Sequence, residues 1–108
     1  MAQDTVKAFA LSSIASSAIS GTYAAINSSG FPHAPFFVRI VNNSNMQITI
    51  SYDGVNDNDV VRSGADFDLP SQTNSQPNAR KALFSKGTIV YVKGTSGTGN
   101  VYLTGYYV

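Results

Sequence analysis

From Met46 to Tyr52 every second residue is apolar: Met46, Ile48, Ile50 and Tyr52 alternate with Gln47, Thr49 and Ser51. Side chains point to opposite faces at successive strand positions, so this run has one dry face and one wet face as a strand. No segment offers the amphipathic helix that a parallel crossover needs, so the sheet is expected to be antiparallel. The acidic residues are all Asp, six of them, against seven Lys and Arg. With Glu absent and Ser, Thr and Asn supplying the polar surface, the chain loses helix formers and gains residues that favour turns and caps.

Further strands are expected around that run. Phe36–Val41 precedes it across the turn cluster Asn42-Asn43-Ser44-Asn45, and the pair reads as a β-hairpin. Short strands follow at Val60-Val61-Arg62 and from Phe67 to Leu69. Ser71–Lys81 is the longest loop. Thr88–Lys93 and Val101–Tyr107, on either side of the Gly-rich run Gly94–Asn100, read as a second hairpin. At the other end, Thr22–Asn27 has β-favouring Thr and Tyr, while Thr5–Ser20 is rich in Ser and Ala. Ser12, Ser13, Ser16 and Ser17 compete for backbone hydrogen bonds and argue against a stable helix there. That segment is read as an extended arm or edge strand.

Short strands with turn signals between them predict an all-β fold, a small antiparallel β-sandwich or jelly-roll-like barrel with an extended N-terminal arm. A chain of 108 residues is one domain. The division is an arm or edge strand over 1–20 and the β-sandwich over 21–108. The expected core comprises Phe37 or Val38, Ile40, Ile48, Ile50, Val60, Leu69, Leu83, Val90, Val92, Val101 and Leu103.

Residues that could carry chemistry are few. His33, the single histidine, lies between Pro32 and Pro35, and no Gly-x-Ser-x-Gly elbow accompanies it. Asp53, Asp57 and Asp59, with Asn56 and Asn58, offer oxygen ligands. An EF-hand frame starting at Asp53 would need Gly and Glu where Asn58 and Gly64 stand. Asx side chains also bond their own backbone, and the turn reading is preferred. Lys93–Asn100 lacks the Gly-Lys-Ser/Thr ending and the following helix of a phosphate loop. Arg62, Arg80, Lys81, Lys86 and Lys93 are too scattered for a nucleic-acid footprint. With no Cys there is no thiolate site. The chain is read as no enzyme, with no cofactor, no metal and no specific nucleic-acid partner.

Charged residues make up 12% of the chain, against about 25% in an average soluble domain. The net charge is +1, a weak defence against self-association. No run of 18 apolar residues exists to span a membrane, and Ser interrupts Ala8–Ile19 too often for a secretory leader. Six tyrosines are more than a small core can hide, and an exposed Tyr offers an apolar face with a polar tip. Tyr102, Tyr106, Tyr107 and Val108, together with Phe31 and Phe36, are the candidate interface.

Four stretches carry a resemblance. Val38–Ser44, Ile48–Gly54, Phe84–Lys93 and Gly99–Tyr107 together resemble small β-sandwich virion proteins of tailed bacteriophages. The resemblance implies a non-enzymatic part of the particle: a capsid decoration, or a neck, tail or fibre-attachment component. It also implies copies of itself and other virion proteins as partners, and a virion location after assembly in the host cytoplasm. A carbohydrate- or receptor-binding module that uses surface tyrosines on a host glycan is the alternative.

Overall fold

The computed structural model describes residues 6–70 and 85–107. Its strands are β1 (Lys7–Ala8), β2 (Ser12–Ala15), β3 (Ala24–Ala25), β4 (Phe37–Ser44), β5 (Ile48–Ser51), β6 (Asp59–Val61), β7 (Asp66–Pro70), β8 (Tyr91–Gly94) and β9 (Gly99–Tyr107). A 3-10 turn, Ser16–Ala18, follows β2.

Two antiparallel sheets pack face to face. In sheet A, β9 lies between β4 on one side and β1 with β2 on the other, and β7 pairs with the far side of β4. Sheet B has the order β3-β8-β5-β6. Strands β2 to β9 in the orders 2-9-4-7 and 3-8-5-6 form a jelly roll. The fold class expected from alternation and turn spacing is the one observed.

Neither expected hairpin exists. β4 pairs with β7 and β9 in sheet A, whereas β5 pairs with β6 and β8 in sheet B. Residues 45–47 therefore cross between the sheets, as residues 95–98 do between β8 and β9. The Asn cluster was expected to be a turn, but β4 runs through Asn42 and Asn43 to Ser44. Asn42 tolerates this because its side chain does the work of a turn while its backbone stays extended. Its Nδ2 donates to the carbonyls of Met46 at 2.9 Å, Val61 at 3.1 Å and Arg62 at 3.1 Å, and its Oδ1 accepts from the Ser44 hydroxyl at 2.5 Å. Fully buried, it ties the β4–β5 and β6–β7 crossings together.

The core between the sheets contains Val38, Ile40, Ile48, Ile50, Val90, Val92, Val101 and Leu103, all among the expected residues. Val38 rather than Phe37 faces inward. Val60 is a correction: it is 55% exposed, and Val61 is buried in its place. The register Ile48↔Val61 sets the phase, so Val60 shares the outward side with Thr49. Ile19, Ile26 and Phe31 complete the core. Leu83 lies outside the described residues, and only the backbone of Leu69 is described, paired with Val38.

The N-terminal segment is the edge of sheet A. Ala8 pairs with Tyr106 and Ser12 with Leu103, so four steps on one strand oppose three on the other, a bulge across residues 9–11. Phe9 donates its N–H to the Gly105 carbonyl at 2.9 Å and lays its ring on Gly105, where a Cβ would sit 2.9 Å from the ring.

Candidate functional site

The outward face of sheet A is built by period two from its two longest strands. Opposite one another stand Phe37 and Tyr106, Arg39 and Thr104, Val41 and Tyr102. β2 adds Ser13 beside Tyr102, and β7 adds Asp68 beside Arg39 and Asp66 beside Val41. The Phe37 and Tyr106 rings lie 5.9 Å apart at a 55° tilt. The Arg39 guanidinium sits 5.9 Å from the Phe37 ring. Arg39 Nε donates to Asp68 Oδ1 at 2.8 Å, with Nη2 to Oδ2 at 3.4 Å. These bonds to the Asp68 carboxylate raise the Arg39 pKa. Val6, Phe36, Phe37, Arg39 and Tyr106 line a shallow apolar concavity on this face. All of these side chains except exposed Val6 are half-buried.

The outward face of sheet B is covered in part by its own chain, with Val60 left exposed. The β5–β6 loop folds back so that Ser51 is buried, although its position points outward. Asp53 organises that loop. It accepts the N–H groups of Asn56 at 2.9 Å and Val55 at 2.8 Å, the Asn56 amide at 2.9 Å and the Ser51 hydroxyl at 2.8 Å. These donors, the Asn56 and Val55 backbone first, hold its pKa well below the usual carboxylate range. Asp57 is held by the Tyr23 hydroxyl and by Lys93, whose Nζ lies 2.9 Å from it and 4.7 Å from the Tyr23 ring. The two bonds lower the Asp57 pKa, and the bond to Asp57 raises that of Lys93. Asp59 accepts from the Tyr52 hydroxyl at 2.6 Å; burial, then that bond, pushes the phenol pKa up. Asp53 thus forms the bonded turn preferred above, while Asp57 and Asp59 are taken up by Tyr23, Lys93 and Tyr52. Among the described residues no three His, Cys, Asp or Glu side chains gather as metal ligands.

The candidate interface residues divide. Tyr102, Tyr106 and Phe36 lie on the sheet A face. Tyr107 instead stacks with Phe9 at 4.8 Å and with His33 at 4.1 Å, so these rings close one end of the sandwich. Phe31 is a correction, because it is only 5% exposed and belongs to the core. Its N–H donates to the Thr88 carbonyl at 3.1 Å, its carbonyl accepts from Gly87 N–H at 2.8 Å, and its ring lies 5.5 Å from that of Phe9. The preceding Gly30 holds φ of 77° and has the Gly87 backbone where a Cβ would go. Val108 lies outside the described residues. Phe37, Val41 and Arg39 join the face without having been singled out. The signal was their alternation with Val38 and Ile40, which fixes the outward positions once the inward ones are known.

No protein-family model matches the chain, and no curated protein matches it. Its fold is similar to a solved structure from work reporting that Bacillus endospore appendages form a novel family of disulfide-linked pili. The TM-score is 0.50 and the identity 16%, over 99% of this chain and 91% of that one. At that identity the likeness is one of fold. The 108 residues contain no Cys, so they cannot supply a disulfide link of their own.

Proposed function

We propose that the protein is a non-enzymatic structural subunit that works by packing against copies of itself and other proteins of a particle. The observation that carries this reading is the contrast between the two outer faces. On sheet B the β5–β6 loop folds over Ser51, and Asp57 and Asp59 hold Tyr23, Lys93 and Tyr52, while sheet A sets Phe37, Val41, Tyr102 and Tyr106 together around the Arg39–Asp68 ion pair. Aromatic residues with few charges are the composition of an interface centre rather than of a solvated sheet. The low net charge and the fold shared with a pilus protein agree with it. The finer assignment, to the particle of a tailed bacteriophage as a decoration or a neck, tail or fibre-attachment component, draws on the sequence resemblance.

The test is the mass in solution against concentration, by sedimentation and light scattering. The native chain is expected to associate, and the double variant F37S/Y106S to shift to monomer with its fold intact. A native chain that stays monomeric and is missing from purified particles by mass spectrometry sinks the proposal.

A further inference from the structure

We propose that β2 is a growth edge, onto which β7 of a second copy adds so that sheet A runs on antiparallel from one copy to the next. This rests on the assembly reading above and names the surface and the geometry of self-association, which that reading leaves open.

Ser12 to Ala15 bond to β9 on one side, and among the described residues none makes a backbone hydrogen bond elsewhere. An edge with regular backbone and free N–H and C=O groups is a template for another strand unless something blunts it. The usual devices are lysine, proline or a bulge. The bulge at residues 9–11 blunts the edge only up to Leu11, and Ser12-Ser13-Ile14-Ala15 contains neither Lys nor Pro.

Strand direction selects the partner. Across sheet A the strands alternate, β2 against β9, β9 against β4 and β4 against β7. With three steps across the sheet, an odd number, β2 and β7 run in opposite directions. A copy displaced sideways in the plane of the sheet therefore sets its β7 antiparallel to β2, with no reversal of the molecule. The contact is heterologous, so it does not stop at a two-fold dimer: it runs on into a filament unless the rotation between copies closes a ring.

Charge selects it too. Among the β7 residues whose side chains are described, Asp66 and Asp68 are exposed, and two β7 edges brought together would set carboxylates against carboxylates. The β1–β2 edge carries one charge, Lys7, which is positive. The ladder fixes the level of each residue: Asp66 stands beside Val41, Val41 beside Tyr102, and Tyr102 beside Ser13. A sideways copy thus brings Asp66 to the level of Ser13, whose hydroxyl donates to a carboxylate. Both positions lie on the outward face.

The experiment is a charge swap read by sedimentation velocity across a concentration series, with circular dichroism and thermal melts confirming the fold of each variant. S13D is expected to weaken association about tenfold by setting like charges opposite one another across the new ladder. Adding D66K to S13D is expected to restore it to within about threefold of the native chain. Species beyond the dimer are expected as concentration rises. Association that stops at a closed dimer, or a D66K that fails to rescue S13D, overturns the proposal. If F37S/Y106S abolishes association while S13D leaves it unchanged, the edge is wrong and the assembly reading stands. A native chain that is monomeric throughout overturns the edge, and its recovery from purified particles would leave the assembly reading in place.

Discussion

Asn45 and Thr98 bond to each other twice: Asn45 N–H donates to the Thr98 carbonyl at 3.1 Å, and Thr98 N–H donates to Asn45 Oδ1 at 2.8 Å. One residue comes from the β4–β5 crossing and the other from the β8–β9 crossing. The two connectors that carry the chain between sheets are therefore fastened side by side. N45A removes the side-chain half of this pair. Because Asn45 is exposed, the expected loss is only about 0.5–1.5 kcal/mol, read from urea unfolding with an unchanged slope.

Asn42 is a larger liability. Replacing it by Ala leaves the carbonyls of Met46, Val61 and Arg62 without their shared donor at a buried position. The expected cost is about 2–3 kcal/mol. N42D is expected to be worse, since a carboxylate would face the same carbonyls without a proton to offer. Equal stability of N42A and the native chain would contradict the role given to this side chain.

Phe9 anchors the first strand by lying on Gly105 between the rings of Phe31 and Tyr107. F9A is expected to raise amide exchange from Lys7 to Leu11 while the core strands β4, β5 and β8 keep their protection. G105A places a methyl group against the Phe9 ring and is expected to cost about 1–3 kcal/mol. Uniform loss of protection in F9A would mean that the arm and the sandwich unfold as one unit.

Acid is expected to unfold the protein through its loop carboxylates. Asp53 has a depressed pKa in the folded chain, so the unfolded chain takes up its proton first as pH falls. The associated stability is complete above the ordinary Asp value of about 3.9 and drains away below it, as pH falls through the folded value. Asp57 acts with the same sign. Melting temperature should therefore be level from about pH 5 upward and fall below about pH 4. D53A is expected to lower stability at neutral pH and flatten the acid slope. An unchanged slope would place the acid sensitivity elsewhere.

The sequence made the strands legible and their partners illegible. Met46–Tyr52 announces a strand because alternation is a local property, written into neighbouring side chains. Whether β4 and β5 pair or part is decided by what each finds across the sandwich, and a short Asn-rich connector serves a hairpin and a sheet crossing equally well. Asn42 shows the difficulty: its residue type signals a turn, and only the three carbonyls around its amide reveal a buried strand position. Val60 and Val61 are indistinguishable by type, so the phase of a three-residue strand had to come from Ile48 across the ladder. The outer face of sheet A was half legible. Tyr102 and Tyr106 stand out as spare aromatics, but Phe31 and Tyr107 look the same until the rings of Phe9 and His33 are placed.

The position of β9 has a consequence for how the chain comes off the ribosome. It is flanked on both sides in sheet A, and its Tyr107 pairs with Lys7, a hundred residues earlier in the sequence. Within these residues the central strand is the last to be translated. Until it emerges, β2 and the long β4 wait without the neighbour they share, and closure of the sheet joins segments from opposite ends of the chain. Such distant pairing is slow, and during the delay the unsatisfied strands of nascent copies on one messenger are exposed to each other.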